Sequence, residues 1–307
     1  MDSRRAFLKG ALGLAAGSLL ARPSLAAAAS VADRMKDTWF DISLAQWSLN
    51  KAFWSGEKDK MRFAEIAKSE FGITAIEYVN QFYMEGFSPA VVEELARVAD
   101  GEGVENVLIM CDREGNLGDP DEAKRLEAVQ NHVKWIEAAR TLGCHAIRVN
   151  AASAGAFDEQ IKLAADGLRR LSEIGDQYGI CVIVENHGGL SSNGSWLASV
   201  MREVDHPRCG TLPDFGNFRI SRETGEEYDR YLGTKQLMPF AKGVSAKTHT
   251  FNPDGFERDI DYPRIMDIVK ASGYRGYVGI EWEGSSLDEP TGILKTKKLL
   301  EKLGGRA

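Results

Sequence analysis

The chain has 307 residues, of which 43% are hydrophobic and 27% charged. This composition is typical of a globular protein and excludes a disordered or collagenous one. The 38 basic and 45 acidic residues give a net charge of −7, which argues against a general nucleic-acid binder, and four cysteines exclude a disulfide-dense scaffold.

The first 30 residues have the three parts of an export signal: a basic start, a short apolar stretch and a run of small residues. The apolar stretch over 11–21 is shorter than the roughly 20 residues that span a bilayer. Segment 3–9, SRRAFLK, resembles the twin-arginine signal. That resemblance implies export of the folded protein by the twin-arginine machinery and a periplasmic or secreted location. We expect cleavage after Ala26 or Ala28 and assign 1–28 to the signal; the alternative is a basic leader that stays attached.

Removal of residues 1–30 takes away four basic residues and one acidic residue, which leaves 34 against 44 and a net charge of −10. We therefore expect no nucleic-acid partner for the mature protein, because its charge would repel phosphates. We expect no stable membrane span in the mature form. Whether the protein forms a homo-oligomer is left open at this point.

After residue 36, apolar β-rich runs alternate with stretches of helical periodicity. Strands are predicted over Asp41–Trp47, Ile73–Val79, Val104–Cys111, Ala146–Asn150, Cys181–His187, Gly210–Phe215, Gly243–Thr248 and Tyr277–Glu281. Helices are predicted over Met61–Phe71, Pro89–Ala99, Ala123–Leu142, Asp158–Tyr178, Trp196–Val204 and Ile265–Ala271. This alternation predicts βαβ units and a parallel sheet.

Glycine stands between a helix and the next strand at five places: Gly72, Gly103, Gly143, Gly179 and Gly273. Glycine ends a helix in the left-handed conformation without steric cost. Eight such units in a chain of about 280 residues predict a single-domain (β/α)8 TIM barrel, which we place over residues 36–305. A doubly wound open sheet is the competing fold, but no strand is followed by its G-x-G-x-x-G phosphate fingerprint.

Ionisable side chains stand where the last four predicted strands end, and in a TIM barrel the active site lies at those ends. Glu185, Asp214 and Glu281 end the fifth, sixth and eighth strands, and His249 follows the seventh. Alternation along the fifth strand places His187 on the same face as Glu185. Three carboxylates and an imidazole at one mouth would suit a divalent cation, although a single strand-end carboxylate is more often a cap or an ion-pair partner.

The ordered motifs Glu185-Asn186-His187, Asp214-Phe215-Gly216-Asn217, Lys247 and Ile280-Glu281-Trp282-Glu283-Gly284 resemble those of the xylose isomerase-like TIM barrels, the family of sugar (phosphate) isomerases and epimerases. The resemblance covers about residues 40–303. It implies that Glu185, Asp214 and Glu281 hold one divalent metal ion (Mn, Mg, Co or Zn). The family's histidine stands in a V-H-x-K pattern, where this chain has Val244-Ser245-Ala246-Lys247. The fourth ligand is then His249 or water, or the site is weakened.

The resemblance further implies a metal-dependent sugar isomerase or epimerase that transfers a proton on the carbon next to a carbonyl. Glu185 and Glu281 would act as general base and acid. Substrate-binding roles fall to His187, Asn217, Lys247, Arg148 and Trp47. For Lys247, a salt bridge to Glu283 or Asp214 is an equal alternative. Export and acidity favour a non-phosphorylated carbohydrate substrate.

Two other functions stay open at this point. A lyase or dehydratase acting on a 3-keto sugar or keto-glycoside would begin with the same proton abstraction. A non-catalytic sugar-binding barrel with a degraded metal site would explain the serine at position 245.

Overall fold

The computed structural model describes residues 38–307. Eight parallel strands form its centre: β1 (Phe40–Ala45), β2 (Ala75–Val79), β3 (Glu105–Met110), β4 (Ala146–Val149), β5 (Cys181–Glu185), β6 (Cys209–Leu212), β7 (Val244–Thr248) and β8 (Tyr277–Trp282). A two-residue strand, β9 (Gly305–Arg306), pairs with β1.

Helices follow the strands and cover the outside of the sheet. They are α1 (Asn50–Ser55), α2 (Phe63–Phe71), α3 (Pro89–Glu102), α4 (Glu122–Leu142), α5 (Phe157–Tyr178), α6 (Gly194–Val204), α7 (Arg230–Leu237), α8 (Tyr262–Ala271) and α9 (Glu289–Lys302). No helix in residues 38–307 is long and apolar enough to cross a membrane.

The strands follow one another around the sheet in chain order from β1 to β6, and β8 and β7 continue it on the other side of β1. The seam between β6 and β7 closes through two isolated bridges, Thr211 to Ala241 and Asp214 to Ser245. At the second bridge, the Ser245 amide donates to the Pro213 carbonyl at 3.0 Å and the Phe215 amide donates to the Ser245 carbonyl at 3.1 Å. The prediction of a single-domain (β/α)8 TIM barrel is confirmed.

The first and the third to sixth strands end one to three residues earlier than their apolar patterns predict, and the cause is visible at two of them. Strand β5 ends at Glu185, because the side chain of Asn186 bonds to the backbone of Asp214 through both its amide nitrogen and its oxygen. Strand β6 ends at Leu212, and the next residue, Pro213, has no N–H to donate. His187 therefore lies beyond the regular strand, so the alternation of side chains along β5 does not place it on the same face as Glu185.

Three helices of the structure were missing from the sequence analysis: α1, α7 and α9. Helix α9 carries the usual start signals, since the Asp288 side chain accepts from the Thr291 amide at 2.7 Å and Pro290 lies in the first turn. Its lysine-rich outer face and an internal Gly292 obscured the apolar periodicity. The five predicted helix-ending glycines all have positive φ, from 61° at Gly72 to 84° at Gly273.

A buried carboxyl group lies where β1, β2 and β8 meet. Ser43 Oγ donates to Glu77 Oε1 at 2.5 Å, and Glu77 Oε2 has no hydrogen-bond partner among residues 38–307. Gly279 lies against this carboxyl group. It shares a face with Glu281, because the two are two residues apart on β8. Burial raises the pKa of Glu77 to about 7, and the charges of Glu281 and Glu185 add to the effect. No sequence pattern pointed to this residue.

We expect Gly279→Ala to destabilise the barrel, because the new Cβ would lie 2.4 Å from Glu77 Oε1. Overpacking of this kind lowers the free energy of unfolding by about 1–3 kcal/mol, measurable by urea denaturation. In a Glu77→Ala background the same substitution should cost less. Gly101→Ala is the control, because its Cβ meets nothing within 4 Å. Equal costs of Gly279→Ala in both backgrounds would contradict this account.

Candidate active site

Three buried carboxylates meet at the carboxyl ends of the strands. Glu185 is the last residue of β5, Asp214 follows β6 by two residues, and Glu281 is the fifth residue of β8. One oxygen of each lies within 4.8 Å of those of the other two, and all three side chains are buried. We call them the carboxylate triad. Strands distant in sequence bring these residues together, as expected from their positions at strand ends.

Asp214 is held firmly by its own loop. Its Oδ1 accepts from the amides of Gly216 and Asn217 at 2.8 and 2.7 Å. Its backbone N–H and C=O both bond to the side chain of Asn186, at 2.8 and 3.0 Å. These bonds leave Oδ2 as the oxygen that faces the other members of the triad.

Ser245 occupies the position at which the sequence comparison led us to expect histidine. Its Oγ lies 2.6 Å from Asp214 Oδ2 and 2.8 Å from Glu281 Oε2. A hydroxyl group has one proton and donates to one acceptor only. The second contact is therefore a hydrogen bond only when that carboxyl group is protonated and donates to Ser245 Oγ.

Lys247 lies next to the triad and is engaged in ion pairs. Its Nζ is 3.2 Å from Glu281 Oε1, 3.1 Å from Glu283 Oε2 and 3.9 Å from Asp214 Oδ2. Burial alone would lower the pKa of Lys247, but the charges of Asp214, Glu281 and Glu283 outweigh it and raise that pKa well above its usual value. Lys247 thus forms the ion pairs of its salt-bridge interpretation, with Glu283 and, at a longer distance, with Asp214.

Arg148 and Asn217, both predicted to bind substrate, hold Glu185 in place. Asn217 Nδ2 donates to Glu185 Oε1 at 2.7 Å, and Arg148 Nε lies 2.8 Å from Glu185 Oε2. Arg148 Nη1 also donates to Asp112 Oδ1 at 2.8 Å. Burial opposes ionisation of Asp112, but Arg148 outweighs it and holds the pKa of Asp112 well below its usual range. Sequence reasoning missed Asp112, although it is a carboxylate that directly follows a buried strand.

The two histidines and Trp47 lie outside the triad. His187 is exposed beyond β5, and its backbone amide donates to Ser191 Oγ at 3.0 Å. His249 is half-buried and is not a member of the group of ligand atoms found in residues 38–307. Trp47 lies in a 3-10 turn after β1, and its indole N–H donates to Glu283 Oε1 at 2.5 Å.

Partial removal from water lowers the pKa of both imidazoles, and the charge of Lys247 acts in the same direction on each. Both rings are therefore favoured in the neutral form, in which an imidazole can both donate and accept a hydrogen bond.

The charge balance of the mouth fits a divalent cation. Two cations, Arg148 and Lys247, face five carboxylates: Asp112, Glu185, Asp214, Glu281 and Glu283. Burial, reinforced by repulsion within the triad, raises the pKa values of Glu185 and Asp214 to about 7.

The geometry of the triad leads to the same conclusion. Glu185 Oε2 has no aligned hydrogen-bond donor among the described residues. Oxygens that share an ion at about 2.0–2.6 Å lie within roughly 5 Å of one another, as these do. An all-oxygen set suits Mg²⁺ or Mn²⁺ better than Zn²⁺.

Comparisons with known proteins agree with the architecture. Residues 63–303 match the model of the family described as "Xylose isomerase-like TIM barrel". An L-ribulose 3-epimerase structure superimposes with a TM-score of 0.67 at 15% identity, covering 86% of this chain and 94% of that one. The 3-keto-D-glucoside 4-epimerase from E. coli gives 0.62 at 16% identity, covering 86% and 99%.

A xylose isomerase-like TIM barrel protein from Mycobacterium smegmatis in complex with magnesium gives a TM-score of 0.63 at 16% identity, covering 87% of this chain and 97% of that one. At such identities the similarity shows a common fold. No curated protein matches the chain.

We expect metal binding to weaken as the pH falls below about 7, because protons then compete for Glu185 and Asp214, whose pKa values are raised to about 7. Each displaced proton should lower the apparent affinity by up to about tenfold per pH unit. Calorimetric titration of chelator-treated protein with Mn²⁺ across this range measures the effect. Asp214→Asn should weaken binding at every pH, and an affinity that does not change between acid and alkaline conditions would contradict the expectation.

Proposed function

Because the chain belongs to the xylose isomerase-like TIM barrel family, we propose that it is a metal-dependent sugar isomerase or epimerase that moves a proton on the carbon next to a carbonyl group. The observation that carries this proposal is the carboxylate triad, buried at the carboxyl ends of β5, β6 and β8. Two of its members, Glu185 and Glu281, lie on opposite sides of the β6–β7 seam and can face a substrate from two directions.

Glu185 and Glu281 would act as the base and the acid that move the substrate proton. One carboxylate takes the proton from the carbon, the released electron pair forms the enediolate, and the other carboxyl group returns a proton to give the isomer or epimer. Positioned proton transfer of this kind contributes about 10²–10⁴-fold to the rate. A divalent ion held by Glu185, Asp214 and Glu281 would supply Lewis-acid stabilisation of the negative charge that develops on the substrate oxygens.

The neighbouring residues determine the position of Glu185 and the ionisation of Glu281. Asn217 holds Oε1 of Glu185 by a hydrogen bond, and the guanidinium of Arg148 lies against Oε2 as an ion-pair partner, so both residues position this carboxylate. Lys247 contacts Glu281 and Glu283 and supplies the positive charge nearest to Glu281. We assign it to stabilising the carboxylate form of Glu281 and to binding a substrate oxygen.

A non-phosphorylated sugar is the proposed substrate class. Five carboxylates in and around the mouth would repel a phosphate group, whereas hydroxyl groups can donate to them. Structures of sugar epimerases are among those that share this fold, which supports the same choice.

A solvent-deuterium assay tests this function. Ketoses, 3-keto glycosides and inososes are incubated in D₂O with Mn²⁺, Mg²⁺, Co²⁺ or Zn²⁺, and deuterium at carbon is followed by NMR. We expect one class to exchange, and Glu185→Gln and Glu281→Gln each to lower the rate by about 10²–10⁴-fold. Glu85→Gln, on an exposed residue, is the control.

The same assay separates the alternatives. Exchange accompanied by loss of water or of the glycosidic substituent would identify a lyase. Ser245 in the place of the expected histidine favours a non-catalytic sugar-binding barrel as the second candidate. Absence of a stoichiometric divalent ion in the purified protein, together with no deuterium in any sugar, would reject the enzyme and leave that second candidate.

We also propose that the protein is exported by the twin-arginine machinery to the periplasm or beyond. The segment that supports this, residues 1–28, lies outside the described residues. Replacement of Arg4 and Arg5 by lysine should leave the unprocessed form in the cytoplasm, as measured by cell fractionation and immunoblotting. Replacement of Lys9 by arginine is the control, and unchanged export of the double variant would disprove the proposal.

A further inference from the structure

A cavity of about 340 Å³ lies between the segments that follow β1 and β8. Trp47, Asn50 and Lys51 line one side, and Glu283 and Glu289 line the other. Strands β1 and β8 are neighbours in the barrel, with Leu44 paired to Ile280. The cavity therefore lies at the same face as the carboxylate triad, and its volume is within the range of about 300–1,000 Å³ typical of small-molecule sites.

The cavity and the triad share a wall. Glu283 Oε1 accepts from Trp47 Nε1 at 2.5 Å on the cavity side. Glu283 Oε2 lies 3.1 Å from Lys247 Nζ, which is itself 3.2 Å from Glu281 Oε1. Glu283 therefore lies between the cavity and the carboxylate triad, and only the Lys247 ammonium separates it from Glu281.

Hydrogen bonds hold the two segments that line this cavity together. The buried carboxylate of Glu289 accepts from the amides of Lys51 and Ala52 at 2.8 and 3.1 Å, and Asn50 Nδ2 donates to the Trp47 carbonyl at 2.7 Å. These bonds connect the start of α9 to the start of α1. The cavity is thus a preformed feature of the fold.

The lining of this cavity suits a neutral sugar ring. The half-buried indole of Trp47 offers an apolar face to the C–H side of a ring, and the amide of Asn50, the ammonium of Lys51 and the carboxylate of Glu283 offer donors and acceptors to hydroxyl groups. The carboxylates of Glu283 and Glu289 outnumber the ammonium of Lys51, so the net negative charge of the lining disfavours a phosphate group.

We propose that this cavity binds the second ring of a glycoside whose oxidised (keto) ring lies at the carboxylate triad. This inference rests on the proposed function and narrows its substrate class to keto sugars that carry a glycosidic substituent. A free monosaccharide would occupy the triad side only and would leave the contacts of Trp47, Asn50 and Lys51 unused.

Three substrates of one stereochemical series test the proposal: maltose oxidised at C3 of its non-reducing ring, methyl 3-keto-α-glucoside and free 3-keto-glucose. We expect kcat/KM for deuterium exchange to be at least tenfold higher for the disaccharide than for the monosaccharide, with the methyl glycoside between them. Lys51→Ala and Asn50→Ala should lower the disaccharide preference at least threefold, mainly through KM. Lys298→Ala, which removes an exposed lysine from the outside of α9, should not change it.

The outcomes separate this inference from the proposed function. Exchange with equal kcat/KM for all three substrates, or a preference that Lys51→Ala and Asn50→Ala leave intact, overturns the subsite and keeps the enzyme. If no substrate exchanges, the proposed function fails, and calorimetric binding decides the inference. Binding of the oxidised disaccharide at least tenfold tighter than that of 3-keto-glucose, and weakened by Lys51→Ala, would support the subsite, whereas equal binding would reject it.

Discussion

The excess of buried negative charge at one end of the barrel determines how the rest of this site is built. Carboxylates removed from water need positive partners or protons. Arg148 is shared between Asp112 and Glu185, and Lys247 between Glu281 and Glu283, so each cation serves more than one carboxylate. The remaining deficit of positive charge makes the triad suited to a divalent ion.

The sequence specified the barrel well because its signals are local and repeated. Apolar strand runs, helix periodicity and the helix-ending glycines recur in unit after unit, and each independently favours the same fold. The triad was predictable for a related reason: in a parallel barrel, every strand end points to the same face. Position along a strand was enough to place Glu185, Asp214 and Glu281 together.

What the sequence did not reveal depends on contacts between strands. The partners of Arg148 and Asn217 could not be identified without the distances to Glu185, and so a role in substrate binding seemed natural for both. Glu77 gave no pattern, because a single carboxylate in an apolar run has no periodicity. Asp112 had the positional signal of the triad, but its role became clear only from its contact with Arg148. Helices α1, α7 and α9 were missed since they are short or rich in polar residues.

The seam between β6 and β7 has a consequence for the dynamics of the protein. Only isolated bridges join these strands, and one of them links Asp214 to Ser245, whose side chains also meet in the triad. A cation that neutralises the triad would therefore also stabilise the seam between β6 and β7, where the barrel has the fewest backbone pairings. Local opening at this seam exposes the amides of Ser245 and Phe215, so their hydrogen-exchange protection reports on the occupancy of the site without any substrate being turned over.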